Sequence, residues 1–110
     1  MQSTGSIQEV MSKITGWQDR GLSVALATVV KTWGSAPRPI GSKMAISQTG
    51  DMVGSVSGGC VEAAVLEEGL QVLVSGEPRL VRFGVADGEA WAVGLSCGGQ
   101  IEVFVEPLEY

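Results

Sequence analysis

The sequence contains no histidine, only two cysteines among its 110 residues, and few aromatic side chains. Without histidine the usual general base is missing, and with it the Ser-His-Asp and Cys-His pairings and the helix-borne histidine zinc motifs. Two cysteines alone cannot close a structural zinc site within one chain. Positive charge is also scarce. Seven Lys and Arg face twelve Asp and Glu, for a net charge of −5 and an isoelectric point near 4.5. No basic patch exists, which disfavours a nucleic acid or an anionic membrane surface as partner. No apolar run reaches the roughly 18 residues of a membrane span. The opening "MQSTGSIQEV" lacks the basic start and apolar stretch of a signal peptide. Two cysteines without an export signal point to reduced thiols and a cytoplasmic location, with a structural disulfide as the alternative.

What is present describes a folded chain. Hydrophobic residues make up 45% and mean hydropathy is +0.26, enough for one domain with a modest core. Residues 1–110 are read as that single domain, with residues 1–5 flexible. "SIQE" at 6–9 has capping-box spacing, with Ser6 as N-cap and Glu9 reaching back. Ile7, Val10, Met11, Ile14 and Trp17 then recur at helical spacing, predicting a helix over 7–18 that stops near Gly21. "LSVALATVVK" at 22–31 is apolar on both alternating faces, with Leu22, Val24, Leu26 and Val30 on one side. It reads as a central strand covered on both sides. "KMAIS" and "MVGSV" flank "QTGD" and predict a hairpin with Gly50 at the positive-φ position.

A second helical pattern runs from Cys60 to Ser75, with Val61, Ala64, Val65 and Val72 on one stripe. Glu62, Glu67 and Glu68 crowd its first half, which suits the positive end of a helix dipole. Ser75-Gly76 and Pro78 end it. "RLVRF" at 79–83 is a short strand. "QIEVFVE" at 100–106 alternates cleanly, placing Ile101, Val103 and Val105 inward and Glu102 and Glu106 outward. The expected fold is α+β, or α/β, built on one mixed β-sheet with two main helices packed on it.

Three glycine-rich stretches remain: "GSAPRPIGSKM" at 34–44, "GSVSGGCVE" at 54–62 and "GLSCGG" at 94–99. Each adjoins a predicted strand, so all three are expected on one rim of the sheet, where ligands tend to sit. In the middle stretch, Gly58 and Gly59 let backbone N–H groups approach a ligand, and the helix start adds partial positive charge. A thiolate at Cys60 is favoured by the same field. The alternative is a tight turn in which Cys60 is a small buried hydrophobe. Cys97 beside Gly98 and Gly99 repeats the theme. Arg38, stiffened by a proline on each side, suits a phosphate or carboxylate oxygen, with solvation at the surface as the alternative. Lys43 adds a second positive charge. Trp17, Trp33 and Trp91 read as core residues, although Trp33 beside Gly34 has the shape to cover a planar ring. These features define an anion-binding rim with one or two activated thiols and do not name its ligand.

Taken together, the three stretches, the last extended as "GLSCGGQIEVFVEPL" at 94–108, resemble the N-terminal domain of the xanthine dehydrogenase accessory factor (XdhC/CoxI) family. The resemblance implies a maturation chaperone without turnover of its own. Its cargo is molybdenum cofactor, as molybdopterin or its dinucleotide form. The chaperone guards the cofactor while a sulfido ligand is installed and passes it to a xanthine-dehydrogenase- or CO-dehydrogenase-type hydroxylase. The residues then expected to hold the cofactor are Gly34, Ser35, Arg38, Ser57, Gly58, Gly59, Cys60, Glu62, Cys97, Gly98 and Gly99. Cys60 serves as molybdenum contact or as sulfur relay. The implied partners are the hydroxylase apoenzyme, a cysteine desulfurase or other sulfur donor, and a second copy of the chain. Family members typically continue into a Rossmann-like dinucleotide-binding domain. The 110 residues include none, so a stand-alone short member or a fragment is expected. The competing readings are a sulfur-transfer or redox module using Cys60 and Cys97 as a pair, and a pure interaction domain in which the glycine stretches are only architecture.

Overall fold

The computed structural model describes residues 7–33, 39–57, 61–83 and 100–108. Along the chain these form α1 (Ile7–Asp19), β1 (Val24–Trp33), β2 (Lys43–Ser47), β3 (Met52–Gly54), α2 (Glu62–Ser75), β4 (Arg79–Phe83) and β5 (Gln100–Leu108). The strands make one five-stranded sheet in the order β3-β2-β1-β5-β4, so the fold is α+β. The expected capping box falls on Ser6, outside the described residues.

The sheet is not mixed, as the sequence pattern led one to expect: every described pairing is antiparallel. The reason is the route of α2. It joins β3 and β4, which run in the same direction but lie on opposite edges with the other strands between them. The crossover therefore creates no adjacent parallel pair.

Side-chain alternation sends the two faces of the sheet to different helices. Ala25, Ala27 and Val29 of β1, Met44 and Ile46 of β2, Phe83 of β4, and Ile101, Val103 and Val105 of β5 pack with Val61, Val65 and Val72 at α2. Val24 and Ala45, on the other face, pack with Val10, Ile14 and Trp17 of α1. Burying a side chain of this size contributes about 1.5–3 kcal/mol. Gly69 lets α2 come close to β2, since a Cβ there would press on the Ile46 side chain.

Both helices stop where the sequence says. Gly21 (φ +79°) and Gly76 (φ +77°) are left-handed. Gly21 N–H donates to Gln18 O and Leu22 N–H to Trp17 O, a Schellman ending. The β2–β3 turn carries Gly50 at φ +94°.

Helix α1 lies over β2, β3 and the start of β1 with only its Val10–Ile14–Trp17 stripe turned inward, and Ile7 and Met11 are about half exposed. Three expectations need correction. Val30 is 41% exposed: it sits at the register shift between Val29 and Lys31, beyond the reach of α1. Glu102 does lie on the face opposite α2, but it is buried there, with Oε2 accepting from Arg82 Nε at 2.8 Å. A charge is tolerated at such a position when it is paired. Helix α2 begins at Glu62 and not at Cys60. Val61 is its N-cap (φ −132°, ψ 18°), and Val61 O accepts the bond from Val65 N–H.

Candidate functional site

The antiparallel registers decide where the three glycine-rich stretches leave the sheet. Thr28 pairs with Lys43, and β1 continues past that point to Trp33, which pairs with Gln100. Phe83 pairs with Ile101, and Gly54 pairs with Met44. The end of β1, the start of β2, the end of β3, the end of β4 and the start of β5 are thus all at one end of the sheet. The connections 34–42, 55–61 and 84–99 depart from this end, and the single rim foreseen from the sequence is what the topology produces. Residues 41 and 42 return along β1 through Gly41 N–H to Val29 O and Val29 N–H to Ser42 O. Lys43 Nζ donates to Thr28 Oγ1 at 3.3 Å.

Gly54 steers the chain out of β3. Its φ is +89°, and a Cβ there would collide with the Lys43 carbonyl oxygen. That same oxygen accepts the Ser55 N–H. A backbone conformation and a close approach both call for glycine at this position.

Beyond Gly54 the loop wraps around one carboxylate. Glu62 Oε2 accepts from Ser55 Oγ at 2.7 Å, Val56 N–H at 3.0 Å and Ser57 N–H at 2.9 Å. Oε1 accepts from Ser57 Oγ at 2.5 Å. Ser57 Oγ in turn accepts the Val61 N–H at 2.8 Å. Burial works to raise the Glu62 pKa, but the bonds from the Ser57 and Ser55 hydroxyls and the two backbone N–H groups outweigh it and hold it at about 2. The carboxylate is therefore ionised throughout the neutral range.

Of the residues singled out from the sequence, the structure brings Ser57 and Glu62 together. Ser57 is fully buried, and its hydroxyl both donates to Glu62 and accepts from Val61. Gly34, Ser35, Arg38, Gly58, Gly59, Cys60, Cys97, Gly98 and Gly99 lie outside the described residues, as does Trp91. Trp17 is core, as expected. Ser55, buried and bonded to Glu62, was not singled out. Its only signal is position, as the first serine of "SVS" before the glycine pair. Among the described residues no three His, Cys, Asp or Glu side chains group to hold a metal ion, and no helix is long and apolar enough to cross a membrane.

This architecture is that of a known family. Residues 17–84 match the model of the XdhC and CoxI family, and the chain belongs to it. Among curated relatives, the molybdenum cofactor insertion chaperone PaoD of Escherichia coli is 40% identical over 89 residues, covering 80% of this chain and 27% of PaoD. A protein of Bacillus subtilis described as a probable xanthine dehydrogenase subunit is 36% identical over 85 residues, covering 74% of this chain and 25% of that protein. The crystal structure of a xanthine dehydrogenase from Bacillus halodurans superposes with a TM-score of 0.72 at 28% identity, covering 90% of this chain and 30% of the other. The chain thus spans about a quarter of the curated relatives named and 30% of that solved chain.

Proposed function

We propose that this chain is the cofactor-handling domain of a maturation chaperone, one that carries molybdenum cofactor to a xanthine-dehydrogenase- or CO-dehydrogenase-type hydroxylase and does not turn over substrate itself. The observation that carries the reading is the departure of all three glycine-rich connections from one end of the sheet, in a chain 40% identical to a molybdenum cofactor insertion chaperone. Each connection brings a different chemistry to that end. The first connection carries Gly34, Ser35 and Arg38, and Arg38 supplies a guanidinium fork for phosphate oxygens. Gly58 and Gly59 supply open backbone beside the start of α2. Cys60 supplies a soft thiol suited to molybdenum or to relaying sulfur from a desulfurase-type donor, and the third connection carries Cys97, Gly98 and Gly99. The molybdenum cofactor is cargo here, handled in the cytoplasm, with a second copy of the chain as partner.

A sulfur-transfer or redox pair of Cys60 and Cys97 is the second reading. It is favoured by the two cysteines lying on connections that leave the same end of the sheet, and it requires Cα atoms within about 7 Å.

The test is expression beside a full molybdenum cofactor supply, followed by metal and pterin analysis of the purified chain. Co-purifying pterin and molybdenum are expected, and their absence from cofactor-replete cells overturns the proposal. Arg38→Ala should weaken retention about tenfold or more, the loss of a hydrogen bond to a charged group. Cys60→Ser should abolish transfer, with Cys97→Ser the milder change.

A further inference from the structure

A carboxylate in a ligand-binding stretch either presents its oxygens to the ligand or spends them on the protein. Glu62 spends them. Ser55 Oγ, Val56 N–H and Ser57 N–H converge on Oε2, and Ser57 Oγ reaches Oε1. An ionised carboxylate offers about four lone-pair sites, so these donors leave little acceptor capacity for a ligand. Ser57 completes the arrangement by accepting Val61 N–H at 2.8 Å while remaining fully buried. Two side chains therefore tie both ends of the stretch 57–61 to the start of α2.

We infer that Glu62 is a positioning residue: through Ser55 and Ser57 it anchors the two points that the Gly-Gly-Cys stretch must join, and it does not itself contact the cofactor. The inference rests on the molybdenum cofactor reading and replaces the expectation that Glu62 and Ser57 bind the cofactor directly. A residue that acts through its neighbours has a signature that a contact residue lacks. Removing it and removing its partner cost the same thing once, so the losses do not add.

The experiment uses Glu62→Gln, Ser57→Ala and the double variant of the full chain. Backbone amide exchange at Val56, Ser57 and Val61 is measured first, with Ala27 and Val103 in the sheet as internal controls for folding. Retention of molybdopterin is then read by pterin fluorescence after expression with a cofactor supply. Each single variant should speed exchange at the three loop amides about tenfold, leave the sheet amides unchanged, and lower molybdopterin affinity about tenfold, with little further loss in the double variant. Additive losses would give Glu62 a contact of its own with the cofactor and overturn the inference. Unchanged loop exchange in Glu62→Gln would also overturn it. A wild-type chain with protected loop amides that retains no molybdopterin would instead remove the cofactor reading, and the positioning role with it.

Discussion

The two ends of the sheet are built on different plans. At the end away from the glycine-rich stretches the connections are short and satisfied locally. Gly21 and Gly76 close their helices, and the β2–β3 turn is gathered by Ser47, whose Oγ lies 2.7 Å from Thr49 Oγ1 and accepts the Thr49 and Asp51 N–H groups at 3.3 Å each. At the other end the connections are long, and the one described in most detail is gathered by a charge. Glu62 holds the backbone of residues 56 and 57 at 3.0 and 2.9 Å. Both devices capture backbone donors with a side-chain oxygen. The neutral hydroxyl makes long bonds within a tight turn that the backbone already defines. The carboxylate makes short, charge-assisted bonds to Ser55, Val56 and Ser57 where the chain has left β3. Charge-assisted bonds are roughly twice as strong as neutral ones, so order at the loop end depends on one residue where the turn end distributes it.

If that contrast is correct, the largest effect should come from Glu62→Ala. It leaves the buried Ser57 donors without an acceptor and should cost about 3 kcal/mol in denaturant unfolding. A loss below about 1 kcal/mol would show that the loop is held by other means. Gly54→Ala should follow, at about 2 kcal/mol, because a non-glycine residue at φ +89° is strained and its Cβ meets the Lys43 carbonyl. Wild-type stability there would mean that β3 can turn out of the sheet by another route.

Acid should sharpen the comparison further. The folded pKa of Glu62, about 2, lies below the ordinary 4.5. Its contribution is therefore fully present above the unfolded value and is lost as pH falls through the window from 4.5 towards 2. Thermal melts of wild type against Glu62→Gln should converge across that window, and parallel curves would disconnect the charge from the loop. The smallest change is expected at the opposite end. Ser47→Ala should cost about 1 kcal/mol and leave exchange at Val56 and Ser57 untouched. Faster exchange there would mean that the two ends are coupled through β2.

Much of the fold was legible because the signals are local. The Val10–Ile14–Trp17 spacing, the alternation of residues 101–105, Gly50 between two apolar runs and Gly76 before Pro78 each report a backbone period or a φ preference, which a residue carries with it. The direction of neighbouring strands was not legible, because it depends on which edge the chain crosses to after α2. Nor was the pairing of Glu102 with Arg82, since alternation tells which face a side chain takes but not what covers it.

At the candidate site the division is the same. By itself the sequence determined which chemistries are available: the glycine pairs, the arginine between prolines, two thiols, and no histidine. It also carried enough pattern to indicate the family. Only the tertiary structure decided that every described pairing of the sheet is antiparallel, that α2 starts two residues later than its periodicity implies, and that Glu62 turns back onto Ser55–Ser57. Those outcomes rest on hydrogen-bond partners that meet only when the chain is folded. A carboxylate's identity is local, but the donors that fill it are set by how the loop closes.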